Sequence, residues 1–218
     1  MAKILILNPN SSPSTTESVS RGLDLLRDGR HVLDCRTLQE GPTGIATQAD
    51  IDRVVQPTAQ YFADNIADAY VIACFSDPGL ALARETVQAP VLGIAESSFQ
   101  LAIGLGDRFG VVAMADHSVP RHKRYIRSLG LGARLAGDLA INVGVEHMDG
   151  AGVLDKIVEV GRRLRDQEGA DVIILGCAGM GQYRQEIERI LDVPVVDPSQ
   201  AAVTRALALL SLGYQTAA

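Results

Sequence analysis

Tyr70-Val71-Ile72-Ala73-Cys74-Phe75-Ser76-Asp77-Pro78-Gly79-Leu80 reads as a buried strand, a reactive residue at its C-terminal end, and the start of a helix. A short, unbroken apolar run is what a strand covered on both faces needs. Asp77-Pro78 looks like a helix start, with Asp as the cap and Pro at the first position. The same plan returns in Asp171-Val172-Ile173-Ile174-Leu175-Gly176-Cys177-Ala178-Gly179-Met180. Two cysteines therefore each close an apolar strand just before a helix.

The match extends beyond the cysteines. Each cysteine strand is followed by a helix and then by a Pro-Val strand, at Pro90 and at Pro194. The cysteines are 103 positions apart and the prolines 104. Ile4–Leu7 and Val111–Met114 open the two halves in the same way. A period shared by three features predicts two similar α/β lobes with parallel sheets, related by pseudo-twofold symmetry. Lobe 1 is expected over residues 1–98 plus about 198–218, with strands ending at Asn8 and Cys74. Lobe 2 is expected over about 99–197, with strands ending near Met114 and Cys177. Packed in this way, equivalent strand ends meet at a cleft, and crevices outside the carboxyl ends of parallel strands are where such folds bind ligands.

Working outward, Lys3–Leu7 is a strand that leads through Asn8-Pro9-Asn10-Ser11-Ser12 into a helix capped by Ser12, opened by Pro13 and ending near Arg27. That loop is rich in donors, which suits an anionic or carbonyl oxygen, although an ordinary capped turn would look the same. His31–Thr37 is a weaker strand, and Gly41-Pro42-Thr43-Gly44 a loop that could border the cleft. Ala49–Ala67 is helical with a kink or break expected at Pro57. Gly104-Leu105-Gly106-Asp107-Arg108-Phe109-Gly110 is a turn rather than a dinucleotide fingerprint, because no strand precedes it and the last glycine comes late. The helix from Ser118 to about Leu129 carries Arg121, Lys123, Arg124 and Arg127, which read as a solvated face. Leu139–Val143 is a short strand, Asp149–Glu168 a helix, Gln182–Leu191 another, and Asp197-Pro198 starts the last.

Composition narrows the function. The chain has 218 residues, 47% of them apolar, no Trp, and only 4% aromatics, so its core is aliphatic. A net charge of −6 and a pI near 5.2 exclude the basic face of a nucleic-acid binder. No apolar run approaches the length of a membrane span, and the first strand is too short to act as a signal peptide. Three cysteines without a close pair make no disulfide framework and fit a reducing cytoplasm. No His, Cys, Asp or Glu cluster has metal-ligand spacing, so no metal is expected.

Paired thiols suit one kind of chemistry. Inverting a carbon stereocentre by proton transfer requires a base on one face and an acid on the other. An unperturbed cysteine thiol titrates at about pH 8.5, and a helix N-terminus can bring that down. One thiolate and one thiol can then exchange roles in each turnover. The proton must lie next to a carbonyl, and the developing enolate oxygen needs donors. Candidates are the backbone N–H groups of Phe75, Ser76, Ala178 and Gly179 and the side chains of Asn8, Asn10 and Ser76, with Met114 and Ser118 shaping the pocket. Cys35 reads as a small buried hydrophobe. His117 could line the cleft, while His31, His122 and His147 read as surface or structural residues. Asp77 reads as a helix cap.

The motifs Asn8-Pro9-Asn10-Ser11-Ser12, Ala73–Leu80, Gly93-Ile94-Ala95-Glu96, Leu175–Met180 and Leu212-Gly213-Tyr214-Gln215-Thr216 resemble the hydantoin racemase branch of the aspartate/glutamate racemase superfamily. The resemblance covers almost the whole chain in order. It implies two Rossmann-like lobes with the site between them. It also implies cofactor-independent racemisation of 5-monosubstituted hydantoins by two cysteines, which match Cys74 and Cys177, in a homo-oligomer. Relatives in the branch racemise allantoin; others in the superfamily racemise aspartate or glutamate, or decarboxylate arylmalonates with only one of the two cysteines. Arg36–Asp50 matches weakly, and Ala113–His117 lacks hydroxyl residues where the C5 substituent would sit. Few donors stand near the strand ends for a free α-carboxylate, which favours a neutral or singly anionic hydantoin ring. A two-lobed small-molecule binder that is not an enzyme would have no need of paired thiols.

Overall fold

The computed structural model describes residues 1–143 and 152–214. His147, the expected helix start at Asp149, and Gln215-Thr216 lie outside the described residues. The strands are β1 (Lys3–Asn8), β2 (Val32–Thr37), β3 (Ala69–Ile72), β4 (Val91–Gly93), β5 (Phe109–Ala113), β6 (Leu135–Ala140), β7 (Val172–Leu175) and β8 (Val195–Val196). They form two four-stranded parallel sheets of identical order, β2-β1-β3-β4 and β6-β5-β7-β8. The α/β duplication expected from the sequence is thus present strand for strand.

The helices are α1 (Pro13–Gly22), α2 (Gln48–Arg53), α3 (Val55–Asp64), α4 (Leu80–Thr86), α5 (Ile94–Ala102), α6 (Val119–Ser128), α7 (Val153–Asp166), α8 (Arg184–Leu191) and α9 (Pro198–Ser211). They cover both faces of each sheet, which is why the strands are continuously apolar rather than alternating. In sheet 1, Ile4, Ile6, Val71 and Leu92 pack with Val19 of α1 and Ala202, Val203 and Ala206 of α9. The opposite face sets Leu5, Leu7, Tyr70 and Ile72 against Phe62 and Ala83. In sheet 2, Val112, Ile173 and Leu175 pack with α7 and α8 through Ile157, Leu164, Ile187 and Leu191. Its other face meets Phe99 of α5 and Ile126 of α6.

The helices α5 and α9 are exchanged between the sheets. The first follows β4 of sheet 1 and packs on sheet 2; the second follows β8 of sheet 2 and packs on sheet 1. They also pack against each other. The expected lobe boundary near residue 98 falls inside α5, and the return near 198 falls at the start of α9.

Three local readings differ from the structure. The first helix stops at Gly22, and a 3-10 turn over Asp24–Leu26 takes it toward Arg27. The 49–67 helix breaks at Val54, ahead of Pro57, which sits in the first turn of α3, where its missing N–H has no intrahelical partner to lose. The strand expected at Leu139–Val143 is β6, Leu135–Ala140: Gly137 and Asp138 resemble loop residues, yet both pair with β5.

Candidate active site

Cys74 lies two residues beyond the end of β3, and Cys177 two beyond β7. Each is held by the same turn. The Asp77 N–H donates to the Cys74 carbonyl at 2.9 Å, and the Met180 N–H to the Cys177 carbonyl at 3.2 Å. Both side chains line one cleft of about 470 Å³ at the carboxyl ends of both sheets. Both are half-buried free thiols.

Burial pushes both thiols up, Cys74 to about 12. The Ser76 N–H and hydroxyl work against this at Cys74, and the Gly179 N–H does so at Cys177. Asp77 and Cys177 add negative charge near Cys74, and Asp197 does so near Cys177. The expected lowering by a helix start is therefore outweighed. The elements that follow explain why: α4 begins only at Leu80, and Cys177 runs into a 3-10 turn, Ala178–Tyr183, not a long helix.

Asp77 does not cap α4, whose N-cap is Gly79 in the left-handed conformation. Its carboxylate instead accepts the Ala95 and Glu96 N–H groups at 3.0 and 2.8 Å and so caps α5. The Tyr125 hydroxyl donates to it at 2.9 Å. The backbone of Asp77 has φ +44°, a conformation more accessible to Asp than to most L-residues. Burial raises its carboxyl to about 7, and that of Asp197 also to about 7.

The cleft brings together most of the residues expected from the sequence: Cys74, Phe75, Ser76, Cys177 and Ala178 from the cysteine turns, with Asn10, Met114 and Ser118. The Phe75 and Ala178 N–H groups make no hydrogen bond among the described residues, which leaves one free donor beside each sulfur. Ser76 and Gly179 turn theirs toward the sulfurs. Asn8 and Gly179 do not line the cleft. Asn8 is buried, and its amide holds the loop by donating to Asn10 Oδ1 at 2.8 Å, Ser12 O at 3.1 Å and Thr16 Oγ1 at 3.1 Å. Asn10 is fixed through its oxygen, which also accepts the Ser12 N–H, so its Nδ2 remains as the donor. The Ser118 hydroxyl donates to Ala115 O at 2.7 Å within its own turn. The Thr43–Ala46 loop forms another wall, as Gly41–Gly44 suggested.

Two cleft residues look different in the sequence alone. Arg121, which reads there as part of a solvated face, and His122, which reads as surface or structural, both line the cleft, as does His117. His122 is buried, with Nδ1 3.1 Å from Asp138 Oδ2 and its ring edge-on to Phe75 at 5.1 Å. The helical spacing of Val119, His122 and Ile126 is the available signal, since it puts His122 on the inward stripe of α6. Cys35 lies away from the cleft, packed against the core of sheet 1.

Two duplicated α/β halves thus bring a pair of thiols to one cleft. The chain belongs to the Asp/Glu/hydantoin racemase family, whose model matches residues 4–206. By that membership it is an isomerase of the racemase type. It is 32% identical to the hydantoin racemase of Paenarthrobacter aurescens over 98% of this chain and 93% of that one. Its fold matches the allantoin racemase of Klebsiella pneumoniae with a TM-score of 0.95 and 30% identity, over 100% of this chain and 91% of the other. The allantoin racemase of Pseudomonas fluorescens matches with a TM-score of 0.93 and 27% identity, over 99% and 93%. Among the described residues, no helix is long and apolar enough to cross a membrane.

Proposed function

We propose that this chain racemises 5-monosubstituted hydantoins without a cofactor, by proton transfer at C5 between Cys74 and Cys177. The carrying observation is the placement of the two thiols at equivalent strand ends of duplicated sheets, both on one cleft. One sulfur, as thiolate, takes the C5 proton; the electron pair moves onto the adjacent carbonyl oxygen; the opposite thiol returns a proton to the other face. The sulfurs leave each turnover with their roles exchanged. The free Phe75 and Ala178 N–H groups are the donors for the developing enolate oxygen. Allantoin, a hydantoin with a ureido group at C5, is the second reading, favoured by the similarity to the two allantoin racemase structures. The same reading places the chain in the cytoplasm as a homo-oligomer, which its three free cysteines and family suit.

The test is incubation of single enantiomers of a 5-alkyl hydantoin and of allantoin in D₂O, following optical rotation and C5 deuteration against a protein-free control. Loss of rotation with deuterium uptake is the expected result. No change with either substrate would contradict the proposal.

A further inference from the structure

The charge of the cleft wall is unlike that of the molecule. The chain carries a net charge of −6. Yet no Asp or Glu is among the described residues lining the cleft, while Arg121, His117 and His122 are. All three come from one side, the segment that opens α6.

Arg121 is only partly satisfied there. Its Nη1 donates to the His117 carbonyl at 2.9 Å, which anchors the guanidinium at the cleft wall. Its Nε is buried and has no partner among the described residues. The rest of the guanidinium stands at a cleft wall whose described lining offers it no carboxylate. Arg124, one turn on, is already engaged, donating to Gln48 Oε1 at 3.1 Å. The neighbouring ring is fixed too. Nδ1 of His122 faces Asp138 Oδ2, and Phe75 packs edge-on against it, so Nε2 is the nitrogen left for the cleft. Met114 and Val143 supply apolar surface but no hydrogen-bonding side-chain group besides the thioether.

Resting on the hydantoin reading, we infer that Arg121, anchored on the His117 carbonyl, selects hydantoins whose C5 substituent carries a carbonyl or carboxylate oxygen, over those with alkyl or aryl substituents. An apolar substituent brings no acceptor to the guanidinium. A ureido carbonyl or a carboxylate accepts from it, in the planar geometry that guanidinium favours. Sites built to hydrogen-bond a substrate group reject analogues that lack it far more strongly than apolar pockets reject a change of size.

The test compares kcat/KM for allantoin (ureido), 5-carboxymethylhydantoin (carboxylate) and 5-isobutylhydantoin (alkyl), using the whole native chain, Arg121→Gln and His122→Asn. Melting curves establish that the variants are folded. The native chain is expected to prefer both acceptor substrates to the isobutyl compound by roughly tenfold or more. Arg121→Gln should reduce that preference ratio by roughly tenfold, mainly through KM, and His122→Asn by less. If the carboxylate alone is preferred, and salt erases the preference, the partner is an anion; an equal preference for the ureido compound marks the hydrogen bond. A native chain that handles the isobutyl compound as well as the others would overturn the inference. So would an Arg121→Gln variant that loses all three activities equally, because the guanidinium would then serve the common chemistry. Absence of C5 exchange with all three substrates would instead defeat the racemase reading itself, and this inference with it.

Discussion

Each cysteine has a buried carboxylate behind it, but the two lobes supply it from opposite places. In lobe 1 the carboxylate is Asp77, in the turn after Cys74, and the end of the neighbouring strand β4 is Gly93. In lobe 2 Asp197 stands just past the end of β8, and the turn after Cys177 holds Gly181. The fit is reciprocal. A Cβ on Gly93 would lie 2.2 Å from the Asp77 carboxyl carbon, and one on Gly181 would lie 2.6 Å from Asp197 Oδ2. Both carboxylates cap the helix that follows the edge strand, Asp77 through Ala95 and Glu96 of α5, Asp197 through the Gln200 N–H of α9 at 2.6 Å. Gly93 and Asp197 are N-caps of closely similar backbone, φ −90° and ψ 140° against φ −82° and ψ 126°. What is shared between the lobes is thus a carboxylate at one place, not a residue at one position. A residue-by-residue alignment of the halves sets Asp77 against Met180 and Gly93 against Asp197, and so finds no match.

The largest effect should come from breaking the similarity at sulfur. Cys74→Ser or Cys177→Ser should lower racemisation by about 10²–10⁴-fold, the usual worth of a placed acid or base, measured by optical rotation. Normal turnover by both variants would show that the thiols are bystanders.

Next comes the reciprocal packing. Gly93→Asp alone puts two carboxylates in one space and should destabilise the fold by several kcal/mol, on the order of overpacking plus an unpaired buried charge. Asp77→Gly/Gly93→Asp transfers the lobe 2 arrangement into lobe 1, with the new Asp in an N-cap conformation and Gly at a positive φ. Urea unfolding should show the double variant regaining most of the loss. Additive losses would mean that the two positions do not share one space.

The carboxylates also set a pH dependence. Burial raises both from the ordinary carboxyl range to about 7. The folded chain therefore holds these protons more tightly than the unfolded chain, so this contribution to stability is present at low pH and is lost as pH rises from about 4 to about 7. Asp77→Asn keeps a cap acceptor and should flatten that slope in thermal melts recorded across the range. It also removes a negative charge near Cys74. Because burial keeps both thiols protonated near neutrality, native kcat/KM should climb between about pH 6 and pH 9, and Asp77→Asn should move that rise to lower pH. An unmoved limb would separate Asp77 from the thiol.

The smallest effect marks a real asymmetry. Tyr125 bonds Asp77, whereas Asp197 Oδ2 is buried without a hydrogen-bond partner among the described residues. Tyr125→Phe should cost about 1 kcal/mol in urea unfolding, the net worth of one hydrogen bond. No loss would make the two carboxylates energetically alike despite their different surroundings.

The strands, the duplication and the thiol pair are legible in the sequence because each rests on local signals: apolar runs, turn residues and a repeated spacing. Asp77 misleads for a physical reason. Asp-Pro before an apolar run is a strong cap signature, yet the carboxylate reaches a helix that starts 17 residues later, and only the tertiary fold shows that. Asn8 is legible as a cleft-loop residue, but its amide is spent holding the loop that presents Asn10. Arg121 is hidden among the charges of α6, most of which do face solvent. The strand β6 begins earlier than its sequence suggests because Asp138, buried against His122, resembles a loop residue until its partner is known.

The most direct measurement is enantiomer-resolved C5 exchange in D₂O by Cys74→Ser and by Cys177→Ser, using whichever hydantoin the native chain racemises. Two opposed sulfurs predict that each variant, while failing to racemise, washes deuterium into one enantiomer only, and that the two variants choose opposite hands. If both variants exchange the same enantiomer, or both still racemise normally, Cys74 and Cys177 do not act on opposite faces of the carbon.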